Sequence, residues 1–544
     1  MAEQGDRAGA GTVVETHRPL SQSSLWAVQH AYYTRSGVQA WASGDVPHFL
    51  TSGPMLARAY AAIVEGFVAD CLAGRLGPID PEEPIYVLEL GAGTGRLAAH
   101  FARALEPRAI EPLRLVYVLS DLVEANLEFW RGHEKLAPLL ASGRCDLARF
   151  DAMRDAVLEL ERSGRSISAG ELANPLIVVA NYLFDVLPQD FYRAQGDERL
   201  EEHVALVGAQ RGPALDDPGF FREVWLAARP VPCPPDRYGD PELDALLDGA
   251  FAERAGAPAQ RFLFPAPALR GLRNLAGLSG GRMLAVVGER PGGLPERDLA
   301  EDPGVALRPG ALLGMGVHGG SCSLPVDLEI LGHFARRRGG DLLLPGAAPA
   351  GLVVSALLLG ERAEGPGARA TRHRFLQAVE EVGPEDLFLT LQAALEHRDE
   401  LPLAMLLALI RVGGYDPYIL GKLHGALQVK LPAAHEAGVE EAVRVLEEVW
   451  ERDYPIERET DLAFGIAALL ALACRYEDAL RFFARSRAAH GPRARTEYNA
   501  ALCHLHLEDV GAALAALAEA RSLEPEFAPA RELMEQIEDE LAKR

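Results

Sequence analysis

Lysine is almost missing from this 544-residue chain: Lys135, Lys422, Lys430 and Lys543 are its full complement, and arginine carries nearly all the positive charge. With 78 acids against 54 bases the formal net charge is −24. Such a chain repels a polyphosphate backbone, and no basic run offsets the repulsion, so nucleic acid is excluded as a first-choice partner. The arginine bias, with abundant Ala, Gly and Pro, suggests a GC-rich genome and says nothing of mechanism. Cysteine is sparse and scattered (Cys71, Cys145, Cys233, Cys322, Cys474, Cys503), without CxxC or Cys/His spacing. That excludes a disulfide framework and a zinc site and fits a reducing, cytoplasmic compartment. Residues 1–24 lack the basic-then-apolar order of a secretory leader and read as a flexible arm. The uncharged stretch 342–360 is broken by Pro345, Gly346, Pro349 and Gly351 into a strand-like LLLP and a helix-like LVVSALLLG. It reads as buried strand, turn and helix, with no membrane span.

What is present is ample apolar material, 49% of residues, enough for two to four domains. The most informative segment is residues 85–100, IYVLELGAGTGRLAAH: an apolar strand, a glycine turn and an amphipathic helix. Gly91, Gly93 and Gly95, with Ala92 between the first two, let the backbone turn tightly and approach a ligand, while the helix offers free N–H groups. Dinucleotide binders share this architecture, but Arg96 stands where their third small residue would pack helix on strand. Glu89, two residues before the turn, would repel a pyrophosphate and can orient an ammonium group. The run resembles motif I of class I S-adenosylmethionine methyltransferases, whose pattern is E/D-x-G-x-G-x-G.

The following elements keep the order which that resemblance requires. Residues 115–119, LVYVL, read as a second strand ending at Ser120-Asp121. Asp121, or Ser120 one position earlier, is placed to accept ribose hydroxyls, and Asp121 can equally cap a helix starting at Leu122. In 148–152, ARFDA, Asp151 beside Ala152 sits where the adenine amino group is bound, or else caps a helix over 153–161. Residues 175–180, PLIVVA, form a buried parallel strand leading into NYLFDVLP, residues 181–188. The carboxyl end of such a strand is where substrate meets cofactor, which makes Asn181, Tyr182 and Asp185 the catalytic candidates. Tyr182 offers either a hydroxyl to the nucleophile or an aromatic wall; Asp185 is a base, a substrate anchor or a helix cap.

ANYLFDVLP resembles the ANE-x-x-DALP motif of the MidA-like family, methyltransferases that include a mitochondrial complex I assembly factor acting on a protein arginine. Residues 49–54, FLTSGP, resemble the family's DF-x-TSP segment, which implies Thr51 beside the cofactor. Residues 281–288 resemble its GxLLxxDYG strand, and His318 with Val326-Asp327-Leu328 its closing region. The likeness spans roughly residues 26–360, interrupted at 194–280. Two departures stand out: Tyr182 replaces the family's glutamate, and Val287-Gly288-Glu289 replaces DYG. Clamping a guanidinium relies on such acids, so arginine as the acceptor is put in doubt.

After Pro366 apolar residues recur at helical spacing to the end. Residues 460–493 and 494–527 superpose at the tetratricopeptide period, with Ala479 matching Ala513 and Pro525 closing the second unit; 439–453, with Ala442, resembles a further second helix. Residues 528–544 read as a solvating cap. The expected architecture is therefore α/β: a class I, Rossmann-like methyltransferase domain with a mostly parallel sheet over 25–363, carrying an insertion or lid at 194–280, then an all-α repeat domain over 364–544. The expected cofactor is S-adenosyl-L-methionine, and the expected partner is a protein or peptide substrate held by the repeats. Two other functions stay open: a metabolite methyltransferase whose tail forms a homodimer, and a non-catalytic cofactor-binding scaffold.

Overall fold

The computed structural model describes residues 12–43, 49–106, 113–208, 217, 219–290, 292, 294, 306–346, 351–360, 365–381, 383–456 and 460–543. The chain divides into two compact units, Met1–Glu385 and Asp386–Arg544. The expected join at 363/364 touches residues 361–364, which lie outside the described set, and the first unit continues past it to Glu385.

In chain order the strands are β1 (Thr12–Arg18), β2 (Ile85–Leu90), β3 (Leu115–Asp121), β4 (Cys145–Arg149), β5 (Leu158–Glu159), β6 (Ser166–Ile167), β7 (Leu176–Asn181), β8 (Asp190–Gly196), β9 (Glu198–Gly208), β10 (Trp225–Pro232), β11 (Gly256–Phe264), β12 (Met283–Glu289), β13 (Gly316–His318), β14 (Ser321–Ser323), β15 (Asp341–Leu343) and β16 (Val353–Leu359). The main sheet has the order β15-β16-β12-β7-β2-β3-β4. β4, β3, β2, β7 and β12 run parallel, whereas β16 is antiparallel to both β12 and β15. β2, β12 and β16 are buried at every position and β7 at all but its last. Continuous apolar runs of this kind belong to strands covered on both faces. Leu246, Leu269 and Phe334, from the helices Pro241–Glu253, Ala266–Leu278 and Leu328–Arg337, share one core with Leu88, Val178 and Ala285 of the sheet.

Residues 352–360 were expected to be helical and instead supply β16. A short apolar run has no period that tells strand from helix, and the free edges of β12 and β15 settle its state. A helix over 153–161 is likewise not formed: the segment turns and then gives β5, paired with β6.

The second sheet is antiparallel, built from β8, β9 and β11, with β1 and β10 both paired to β9. The arm expected to be loose thus contributes an edge strand over Thr12–Arg18. The expected insertion at 194–280 begins inside β8, folds as most of this sheet, and ends in the helix Ala266–Leu278, which belongs to the main core. Phe191, Leu206, Leu226 and Leu263 form a second core with Leu25 and Val28 of the helix Leu25–Ser36.

Among its described residues the second unit is helical. Leu462–Leu472 with Tyr476–His490, and Ala494–His506 with Val510–Leu523, form successive hairpins. Their turns repeat in detail: Cys474 and Glu508, 34 positions apart, both adopt positive φ, +58° and +62°. Ala479 and Ala513 are fully buried where the paired helices approach. Among the described residues no helix is long and apolar enough to cross a membrane.

Candidate active site

The turn after β2 is a run of three left-handed glycines, Gly91 (φ +62°), Gly93 (+54°) and Gly95 (+74°). Side chains are excluded at each position for a different reason. A Cβ on Gly95 would lie 2.9 Å from both Leu119 and the Trp130 indole nitrogen, so this glycine lets the helix Arg96–Leu105 sit on β3. A Cβ on Gly93 would lie 3.0 Å from the Trp41 ring, and one on Gly91 3.1 Å from Leu183. Backbone bonds hold the turn in place: Ala92 N–H donates to the Ser120 carbonyl at 2.9 Å, and Trp130 Nε1 donates to the Gly93 carbonyl at 3.1 Å.

Glu89 and Asp121 flank this turn from adjacent strands. Glu89 is almost wholly buried and accepts from the Tyr117 hydroxyl at 3.0 Å. Burial pushes its carboxyl up to about 8, with the Asp121 charge adding to the rise and the Tyr117 bond opposing it. Asp121 Oδ2 accepts from Gly93 N–H (3.1 Å) and Asn126 Nδ2 (3.0 Å), and Oδ1 from Val123 N–H (2.9 Å). Asp121 thus caps the turn before the helix Glu124–Gly132 and also fixes the glycine loop. Its carboxylate is thus held by donors on the loop, the turn and the helix. Ser120 points elsewhere, its hydroxyl donating to the Glu89 carbonyl at 2.7 Å.

One strand further on, Phe150 N–H donates to the Asp121 carbonyl, which brings Asp151 and Ala152 to the neighbouring strand end. Asp151 caps no helix. Its Oδ1 accepts from Met153 N–H at 2.9 Å, and its own N–H donates to Asp155 at 2.7 Å, a local turn. The Ala152 carbonyl lies directly against Gly271, where any side chain would collide with it.

At the tip of β7, Asn181 is held from both ends. Its carboxamide oxygen accepts from the Tyr60 hydroxyl, and its Nδ2 reaches the Thr51 carbonyl at 3.5 Å. Tyr182 adopts φ +47°, a conformation that costs a non-glycine residue about 1 kcal/mol. Its hydroxyl donates to the Gly351 carbonyl at 2.6 Å, so it is spent inside the protein. Asp185 lies in the short helical turn Phe184–Val186. The cap of that turn is not Asp185 but Glu289, whose carboxylate accepts from the N–H groups of Leu183 (3.0 Å), Phe184 (2.7 Å) and Asp185 (3.3 Å). Glu289 therefore places an acid at the end of β12, two positions after the aspartate of the motif that residues 281–288 resemble.

Asp185 and Glu289 are both fully buried, and neither oxygen of Asp185 has a hydrogen-bond partner among the described residues. Burial raises both carboxyls, Glu289 further through the Asp185 charge, while Arg290 opposes the rise at Asp185. Arg290 is pinned by the carbonyls of Gly314 and Ser323 at 2.9 and 3.0 Å. His318 on the β13–β14 hairpin shares a 3.3 Å bond with the Ser323 hydroxyl, and burial with the Arg290 charge lowers its pKa.

The candidate residues therefore fall into groups. Glu89, Gly91, Ala92, Gly93, Gly95 and Asp121 form one bonded loop, with Asp151 and Ala152 beside it. Asn181 forms a second group with Thr51 and Tyr60, each bonded to it directly; Asp185 forms a third with Glu289. Trp41, Tyr60, Tyr117 and Asn126 escaped the sequence reading because each lies in a helix or strand with no motif of its own.

No family model and no curated protein matches the chain. Solved structures similar to it include three proteins from Burkholderia thailandensis. The first is an uncharacterized COG1565 superfamily protein, 17% identical, TM-score 0.37, covering 65% of this chain and 89% of that one. The second is a COG1565 superfamily member bound to S-adenosyl-homocysteine, 18% identical, TM-score 0.40, covering 65% and 90%. The third is an O-methyltransferase family protein, 11% identical, TM-score 0.24, covering 52% of each.

Proposed function

We propose that the chain is an S-adenosylmethionine-dependent methyltransferase of the MidA-like kind. In this reading it acts on a protein or peptide nucleophile, with tetratricopeptide-type repeats in the second unit helping to present it. The observation that carries the proposal is the left-handed glycine turn between two buried acids, Glu89 and Asp121, in this particular sheet. The dinucleotide-binding strand order is 3-2-1-4-5-6 and mostly parallel. Here the antiparallel β16 stands between β12 and β15, the arrangement of class I methyltransferases.

The residues fit the cofactor. The turn has bare α-carbons at Gly91 and Gly93, and Glu89 is a buried acid suited to an ammonium group. Asp121 at the end of β3 is the acid placed for a ribose hydroxyl, and Asp151 with Ala152 lies one strand over for the adenine. When bound, S-adenosylmethionine supplies an already activated methyl group, so the protein's work is positioning and exclusion of water. Tyr60 and Thr51 hold Asn181 rigid at the strand tip. Asp185, whose oxygens have no hydrogen-bond partner among the described residues, is the group to take a proton from the nucleophile or to anchor a cation.

Calorimetry with S-adenosylhomocysteine and with NAD tests the class: binding of the first alone is expected, abolished by Gly93→Val. Binding of NAD and not of the nucleoside sulfide would overturn it. Incubation with isotopically labelled methyl donor and candidate polypeptides, read by mass spectrometry, tests the acceptor. One observation favours the scaffold alternative: the Asn181 amide and the Tyr182 hydroxyl are both engaged internally. Tight binding without transfer to any polypeptide or extract would be its signature.

A further inference from the structure

Gly93 is enclosed by the chain itself. Its N–H is taken by Asp121, its carbonyl by Trp130, and the side where a Cβ would project is covered by the Trp41 indole, with Cη2 and Cζ2 3.0 Å and Cε2 3.3 Å from that point. The space beyond a bare glycine Cα in such a turn is the space a ligand needs, since close approach is the reason for the missing side chain. Trp41 stands in it. Leu183 does the same above Gly91, at 3.1 Å.

Trp41 comes from the four-residue helix Gln39–Ala42, remote in sequence from the turn. Its ring lies 5.7 Å from that of Tyr33 at 30°. Trp41 is only partly buried, so water reaches part of the residue.

We propose that Trp41 is a self-occluding plug of the cofactor seat: the indole packs over Gly93 on the side where a side chain would project, and it swings away when the ligand enters. The proposal rests on the cofactor reading above. A competent state that is only fractionally populated weakens apparent affinity by that fraction, so shortening the plug should strengthen binding. A stacking wall, by contrast, would lose affinity when shortened.

The test is calorimetry of S-adenosylhomocysteine on the full chain as wild type, Trp41→Ala and Trp41→Phe. It is paired with the emission difference between wild type and Trp41→Phe, which isolates this indole from the other four tryptophans. A threefold or greater tightening in Trp41→Ala, a smaller one in Trp41→Phe and a shift of the Trp41 emission to longer wavelength on saturation are expected. Less tightening, unchanged affinity or a loss in Trp41→Ala overturns the plug while leaving the cofactor reading intact. So does a blue shift or an unchanged emission, a readout that stands even if Trp41→Ala misfolds. Absence of binding to all three proteins overturns the cofactor reading and the plug with it.

Discussion

Tyr60 and Asn181, 121 positions apart in the chain, meet hydroxyl to carboxamide at the carboxyl end of the main sheet, and Gly288 on β12 keeps the space they need. A Cβ at 288 would lie 2.5 Å from the Tyr60 oxygen and 2.8 Å from Asn181 Oδ1. Gly288→Ala is therefore expected to break this bond and cost about 2 kcal/mol, in the range of overpacked cores. Urea unfolding checks it; a variant as stable as wild type would show that the three groups do not share this space.

Glu89 makes stability depend on pH. Its carboxyl titrates near 4.5 when unfolded, and burial in the fold pushes it up to about 8. The folded form then holds a proton that the unfolded form has released, so this contribution is intact below about 4.5 and is lost as pH rises toward 8. Glu89→Gln should flatten that part of the profile in thermal unfolding. An ammonium group seated beside Glu89 would displace the proton. Ligand binding at pH 6.5 should release close to one proton, read by calorimetry in buffers of different ionisation enthalpy, and Glu89→Gln should release none.

Asp185 and Glu289 should respond in opposite directions. Glu289→Ala strips the acceptor from three N–H groups and is expected to cost about 3 kcal/mol. Asp185→Asn removes a buried charge that has no hydrogen-bond partner among the described residues and should stabilise the fold by about 1 kcal/mol at pH 8, with a smaller effect at pH 6 where the acid is protonated. Equal losses from both would place Asp185 in a bonded structural role instead.

Where the chain can be cut follows from Asp70 and Glu385. Buried Asp70 accepts from the N–H groups of Ala370 and Thr371 and from the Thr371 hydroxyl, and Gly66 lets the helices Pro54–Leu72 and Arg369–Phe375 touch. Glu385 accepts from Gly351 and Leu352 N–H at 2.8 and 2.7 Å. A chain ending at residue 363 loses both anchors and should melt at least 5 °C lower than one ending at residue 396, which keeps them. The longer fragment is expected to retain S-adenosylhomocysteine binding. Equal melting temperatures would remove the case for these anchors.

Local chemistry made much of this protein legible. Gly91, Gly93 and Gly95 follow a buried strand and precede a helix because missing side chains, apolar runs and helical spacing are written in adjacent residues. The 34-residue echo of Ala479 in Ala513 was readable for the same reason, since each hairpin closes on itself. Residues 12–18 and 352–360 were misread because their state depends on partners far away: β9 for the first, β12 and β15 for the second.

The site divides along the same line. The sequence alone determined which residues border the glycine turn, because Glu89 lies two positions before it and Asp121 ends the next strand. Only the tertiary structure decided what those residues touch. It brought Tyr60 to Asn181, turned Glu289 into the cap of the Asp185 turn, spent the Tyr182 hydroxyl on Gly351, and laid Trp41 over Gly93. These are contacts between elements tens to hundreds of residues apart, and their energies come from burial and packing that no local pattern encodes.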